Sequence, residues 1–237
     1  MFAEIGEKKM DNYKIGIIDE DEADVQSIER TILENVPDSI KEEQVSFWHS
    51  DLLSNTARLS DEIFSQVIEK IENNDIQILI VDYKIIVNST LIEGTDIFRR
   101  VEELVPKFPL ILLSNLPKDC YSKDFVDADK VYTKREFFKL EENYAKEKTE
   151  IMFRNMRNYV ARRDNLSAKL SVCLTNLEKN GYCEQTLKDI IETENMLDCF
   201  CPQQQSIVEK QLDIDELKSA VDLITKAKKL LGGDDEN

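Results

Sequence analysis

Carboxylates, a hydroxyl and an ammonium recur where apolar runs of this chain stop. The run from Ile15 stops at Asp19 and Glu20, the run from Ile78 at Asp82, the run from Leu110 at Ser114, and Val131–Thr133 at Lys134. Acids gathered at one edge repel one another, and a cation must join them if they are to fold together. Magnesium is a hard cation that takes oxygen ligands, so Asp19, Glu20 and Asp82 suit it. Asp82 can also act as a nucleophile toward phosphorus, giving an acyl phosphate. The metal and Lys134 would offset charge on the phosphoryl oxygens. Ser114 would donate a hydrogen bond to one of them. Taken singly, each residue is a turn cap or a solvated charge. Together, in this order, they point to metal-assisted phosphoryl transfer.

These groups meet only if the runs that carry them are neighbouring strands ending on one edge. Ile15–Ile18, Val45–Trp48, Ile76–Val81, Leu110–Leu113 and Val131–Thr133 are short and apolar, as strands buried on both faces are. Between them lie amphipathic stretches. Helices are expected at Ala23–Asn35, 51–73, Gly94–Val105 and, weakly, 118–127, with another starting near Phe137. The alternation predicts a doubly wound α/β domain, flavodoxin-like, with a five-stranded parallel sheet. Sites in such sheets form at the carboxyl ends of the strands, near the topological switch point. Residues 1–12 read as a polar lead-in and 13–145 as this domain.

The second half has a different texture. No Gly or Pro occurs between Lys118 and Asn180, so one long helix is expected from Phe137 toward Lys179. Met152, Met156, Tyr159, Arg163, Leu166, Leu170, Cys173 and Leu177 follow steps of four and three, a heptad seam interrupted by Arg163. Such a seam must be covered, by a second copy or by the chain itself. Further helices are expected at 184–198 and from Asp213, whose spacing to Glu216 resembles a capping box. Residues 146–231 thus read as an all-α, coiled-coil-like region for dimerisation or protein docking, and 232–237 as a disordered tail. Arg154, Arg157, Arg162 and Arg163 form a local basic stretch. Nucleic-acid binding through it is the alternative; the favoured expectation is that these arginines flank the seam and pair with acids of other helices.

Composition narrows the classes. The 237 residues carry 48 Asp+Glu against 31 Lys+Arg, a net charge of −17, which argues against non-specific nucleic-acid binding by the whole chain. No apolar run is long enough for a membrane span, and MFAEIGEKKM lacks the apolar stretch of a signal peptide, so a cytoplasmic protein is expected. Five irregularly spaced cysteines do not make a disulfide framework. Cys199 and Cys201 with Cys183 are a weak candidate for zinc against the plainer reading of half-buried thiols.

Residues 13–145 resemble the receiver domain of two-component response regulators. The motifs are IIDEDE (Ile17–Glu22), VDYKI (Val81–Ile85), GTDIF (Gly94–Phe98), PLILLSN (Pro109–Asn115) and DADKVYTK (Asp127–Lys134). The resemblance implies that Asp82 is the phosphoacceptor and that Asp19 and Glu20 hold magnesium with the backbone carbonyl of Lys84. It makes Ser114 the switch hydroxyl and Lys134 the phosphate-contacting lysine. It implies a sensor histidine kinase or phosphotransfer protein as donor, and no metabolic reaction. A receiver-like scaffold that takes no phosphate is a further alternative. The chain departs from the family pattern at several positions. Arg135 replaces the usual proline after the lysine, and Val131 stands where an aromatic switch residue is common. Tyr132 beside it should face the other side of the sheet. Asn115 follows Ser114 in place of a smaller residue. The loop from Asp82 to Gly94 is longer than usual. These changes predict retained chemistry with a different readout.

Overall fold

The computed structural model describes residues 12–52, 58–140, 143–180 and 184–202. The lead-in before residue 12, the helix expected from Asp213 and the tail lie outside the described residues. The sheet strands are β1 (Tyr13–Ile18), β2 (Val45–His49), β3 (Ile78–Asp82), β6 (Leu110–Ser114) and β7 (Val131–Thr133), with β4 (Lys84–Val87) and β5 (Thr90–Glu93) forming a separate hairpin. The helices are α1 (Glu22–Glu34), α2 (Leu59–Glu72), α3 (Gly94–Leu104), α4 (Pro117–Tyr121), α5 (Lys134–Phe137), α6 (Asn143–Asn180) and α7 (Glu184–Leu197).

The five sheet strands are all parallel, in the order β2-β1-β3-β6-β7. Alternation along each strand feeds two cores. Ile15, Ile17, Ile78, Ile80, Ile111, Leu113 and Tyr132 face α1 and the first half of α6. Ile18, Leu79, Val81, Leu110, Leu112 and Val131 face α2 and α3. Strands covered on both sides need apolar residues at every position, which is why ILIVD and LILLS read as unbroken runs. Tyr132 does point away from Val131, as alternation requires.

Four elements differ from expectation. α2 begins at Leu59 rather than near residue 51, and residues 53–57 lie outside the described region. α4 ends at Tyr121 rather than continuing to 127. The expected single helix from Phe137 is divided: α5 stops there, Phe138–Leu140 are not helical, and α6 starts at Asn143. The fourth difference is the stretch after Asp82, which is a hairpin and not a loop. Lys84 pairs with Glu93 and Val87 with Thr90, leaving Asn88 and Ser89 as the turn. Their φ angles of 50° and 65° are the left-handed pair that a two-residue hairpin turn requires.

The heptad seam is covered inside the chain. Met152 and Met156 are buried against the sheet. Tyr159 packs edge-on against Phe108 and stacks on Phe200, and its hydroxyl donates to the Phe200 carbonyl at 2.6 Å. Farther along, Leu170 of α6 and Ile190 of α7 are buried where the two helices pack together. The arginines do not pair as expected. Arg163 donates to Asn74 and pairs with Asp164 of its own helix, whereas no ion pair engages Arg154, Arg157 or Arg162 among the described residues.

Phe153 anchors α6 on the sheet, fully buried and edge-on to Tyr13 at 5.0 Å. Phe153→Ala is expected to cost about 3–5 kcal/mol through lost transfer and the cavity left behind. Urea unfolding of the two proteins measures the difference; a loss under 1 kcal/mol, the size expected of a surface change, would contradict this packing.

Candidate functional site

The carboxyl edge of the sheet brings together Asp19, the first residue after β1, Asp82 and Ser114, the last residues of β3 and β6, and Lys134, the first residue after β7. All four are buried. With Glu20, Asp24, Lys84 and Asn115 they line a cavity of about 240 Å³. The Lys134 ammonium sits at its centre. It is 2.6 Å from Asp82 Oδ1, 2.8 Å from Asp19 Oδ2 and 2.7 Å from Asp24 Oδ2. From the end of β7 the lysine reaches past β6 to the carboxylates that end β3 and follow β1, which only a long flexible stem allows.

Backbone amides fix the carboxylates from the other side. Lys84 N–H donates to Asp82 Oδ2 at 2.8 Å, and Asp21 N–H donates to Asp19 Oδ1 at 2.9 Å. Asp21 in turn caps α1 by accepting from Ala23 N–H. The Ser114 hydroxyl oxygen accepts from Leu116 N–H at 2.9 Å, which orients it at the end of β6. Gly94 opens α3 directly against the end of β3. A Cβ there would lie 1.9 Å from the Asp82 carbonyl oxygen, so only glycine permits this approach. Gly94 N–H donates to the Tyr83 carbonyl at 2.9 Å, tying the chain beyond Asp82 to the helix.

Burial raises the pKa of both Asp82 and Asp19 above the ordinary 3.8, because desolvation outweighs the hydrogen bonds from Lys134. Burial alone would lower the Lys134 pKa, yet the hydrogen bonds it donates to Asp19, Asp24 and Asp82 leave it raised. The ammonium is therefore firmly charged, and the acids around it remain in excess of it.

Glu20 lines the cavity but is exposed at its mouth, unlike Asp19. Asp24 is a site residue that the strand ends do not reveal. It lies in the first turn of α1 and so falls outside the pattern of strand-terminal groups. Its signal is a further acid two residues beyond the acidic run Asp19–Glu22. Asn115 lies at the cavity and is exposed.

No family model and no curated protein matches the chain. Among solved structures it is similar to the Salmonella typhimurium RcsB response regulator, a protein described for its conformational dynamism in DNA interaction. The identity is 16%, covering 85% of this chain and 98% of that one, with a TM-score of 0.40. So low a score carries no argument. The topology does: an all-parallel order β2-β1-β3-β6-β7 is the 2-1-3-4-5 arrangement of the flavodoxin-like sheets. The fold is flavodoxin-like. It carries a helical extension, α6 and α7, and its site lies at the switch point between β1 and β3.

Because the folded pKa of Asp82 is raised, its contribution to stability is full below 3.8 and is lost as pH rises through the folded value. Asp82→Asn removes that loss. Between pH 3.8 and neutrality, wild type is expected to lose more stability than the variant, whatever constant offset the substitution adds. Urea midpoints across this range test it; parallel curves would contradict the raised pKa.

Proposed function

We propose that the chain is a phosphoacceptor signalling protein in which Asp82 takes a phosphoryl group from a phosphohistidine of a histidine kinase or phosphotransfer protein. A carboxylate oxygen of Asp82 forms the new P–O bond, the P–N bond breaks, and the released imidazole takes up a proton. The product is an acyl phosphate. What most supports the reading is the single ammonium of Lys134 bridging Asp82 and Asp19 beside Ser114, in a cavity at the switch point.

Among the described residues, no group of three or more His, Cys, Asp or Glu is arranged as a ready metal site. The donors nevertheless suit magnesium, because every candidate is a hard oxygen: the carboxylates of Asp19, Glu20 and Asp82 and the Lys84 carbonyl. When bound, the ion would supply positive charge to the phosphoryl oxygens. Lys134 supplies a second cation, already charged and already at the acceptor. Ser114, with its oxygen accepting from Leu116 N–H, has its own proton to donate to a phosphoryl oxygen. The Lys84 amide holds Asp82 in place for attack. No metabolic substrate is required by this chemistry.

A cytoplasmic location accords with the free thiols of Cys120, Cys173, Cys199 and Cys201, among which no disulfide forms. The proposed division of labour is a phosphoacceptor part over residues 13–145 and a docking part over 146–231, with α6 running between them.

The test is incubation with a small acyl-phosphate donor and Mg²⁺, followed by intact mass. Wild type is expected to gain one phosphoryl adduct that chelation prevents, and Asp82→Asn to gain none. A wild type without adduct, or an equal gain in both, would remove the reading.

Homodimerisation through the helical part belongs to the same proposal. The buried face of α6 is used inside the chain, so among the described residues of the helical part the apolar surface left for a second copy is the exposed Val172, Ile191 and Met196. Sedimentation of Val172→Glu/Met196→Glu is expected to show loss of a dimer that wild type forms. A wild type that stays monomeric at every concentration takes dimerisation out of the proposal.

A further inference from the structure

Between α6 and the β6–β7 side of the sheet lies a second cavity of about 540 Å³, which shares no residue with the Asp82 site. A helix beside a sheet usually turns an apolar stripe toward it. Here the wall from α6 sets Lys148, Arg154, Asn155, Asn158 and Arg162 beside only two less polar residues, Ile151 and Tyr159, positions that recur at steps of three and four along one side of the helix. Lys107 joins them from the turn before β6, and the carboxylate among the lining residues is Asp129. Lys130 also lines the cavity, but its charge is met by Glu102 and Asp127. No ion pair engages Lys107, Lys148, Arg154 or Arg162 among the described residues. Lys148 instead lies over the rings of Tyr132 and Tyr144.

Four cations without a carboxylate partner among the described residues, in a chain of net charge −17, are the reverse of what composition predicts for any one concavity. Held together they repel one another, and an anion among them relieves that repulsion. The groove has the size of a small-ligand site. Two observations select a compact anion over a nucleic-acid strand. The rings at the groove, Phe108, Tyr132, Tyr159 and Phe200, are all buried, so none offers a face for stacking a base. The net charge of −17 also works against a long polyanion, whose phosphates beyond the groove the chain as a whole repels.

We propose that this groove binds a compact anion bearing two or more phosphate groups, held by Arg154, Arg162, Lys148 and Lys107. The guanidinium groups provide forked donors for phosphate oxygens. Asn155 and Asn158 add neutral donors and acceptors beside them. The site does not depend on the Asp82 chemistry, so Asp82→Asn is expected to bind as wild type does.

Titration calorimetry on the full chain tests it, with inorganic triphosphate and a nucleoside triphosphate as separate probes. Saturable binding is expected, weakening as salt rises. Arg154→Glu/Arg162→Glu, both exposed positions, is expected to weaken binding about tenfold or more, the loss that charge-assisted hydrogen bonds imply. Arg157→Glu, on the same helix but outside the groove, is expected to bind as wild type. Equal affinity for the two probes assigns recognition to phosphates alone, and tighter binding of the nucleoside adds the asparagines; either supports the proposal. Absence of binding at millimolar probe, or equal weakening by Arg157→Glu, overturns it. So does a single-stranded oligonucleotide that binds more than about tenfold tighter than triphosphate, which would make the groove a nucleic-acid site.

Discussion

One buried ammonium organises the carboxyl edge of this sheet. Lys134 is shared by Asp19, Asp24 and Asp82 at hydrogen-bonding distances. Buried carboxylates cannot be gathered without such a partner, and leaving one charge of a buried cluster unpaired typically costs about 3–5 kcal/mol. The strand order follows from the same requirement. β1 and β3 must be neighbours to bring their acids together, and β7 must lie close enough for a lysine to cross β6. Placing β6 between them puts Ser114 beneath the crossing side chain. Gly94 completes the edge, because the main chain of α3 comes to the Asp82 carbonyl where no other residue fits. The excess of acid over base is what leaves the edge receptive to further positive charge.

α6 connects this edge to the rest of the molecule. Near its start, Tyr144 accepts from Thr133 N–H at 3.1 Å, at the end of β7. Four turns later Tyr159 meets Phe108, just before β6 begins. The helix therefore spans the sheet from its carboxyl edge to its amino edge, and then continues beyond it to pack with α7. Its sides are differentiated: one is apolar and buried on the sheet, another polar and basic along the groove. The aromatic residue of β7, Tyr132, belongs to the buried core beneath α6, and Val131 occupies the opposite face. A readout through an aromatic at position 131 is not available to this chain. α4 is short as well, so the elements after β6 present less helical surface than the sequence pattern predicts.

Much of this was legible in the residues. The apolar runs ending at Asp19, Asp82, Ser114 and Lys134 marked four strands and one edge, because strands covered on both faces must be continuously apolar. The hairpin after Asp82 carried a signal too: KIIV and TLIE flank Asn88-Ser89, two residues tolerant of a left-handed turn. That signal is faint because the alternation is brief and one face of the hairpin is exposed, with Ile86 and Leu91 at the surface. The division between α5 and α6 had no comparable mark. No Gly or Pro interrupts the chain there, and the break serves the packing of Phe137 and Phe138 under the start of α6. Asp24 was hidden for a related reason: it belongs to a helix turn, and only the reach of Lys134 makes it part of the site.

By itself the sequence determined the alternation of strands and helices and the residue types at the strand ends. Both are local: hydrophobic periodicity sets the first, and the ends of the runs set the second. The tertiary structure alone decided which of the many acids share one ammonium. It alone divided the α6 stripe into a face for the core and a groove whose arginines meet no carboxylate among the described residues. Those outcomes depend on distances between groups far apart in the chain, such as the 115 positions separating Asp19 from Lys134. Electrostatic energy depends on spatial separation and burial, which no spacing along the sequence contains.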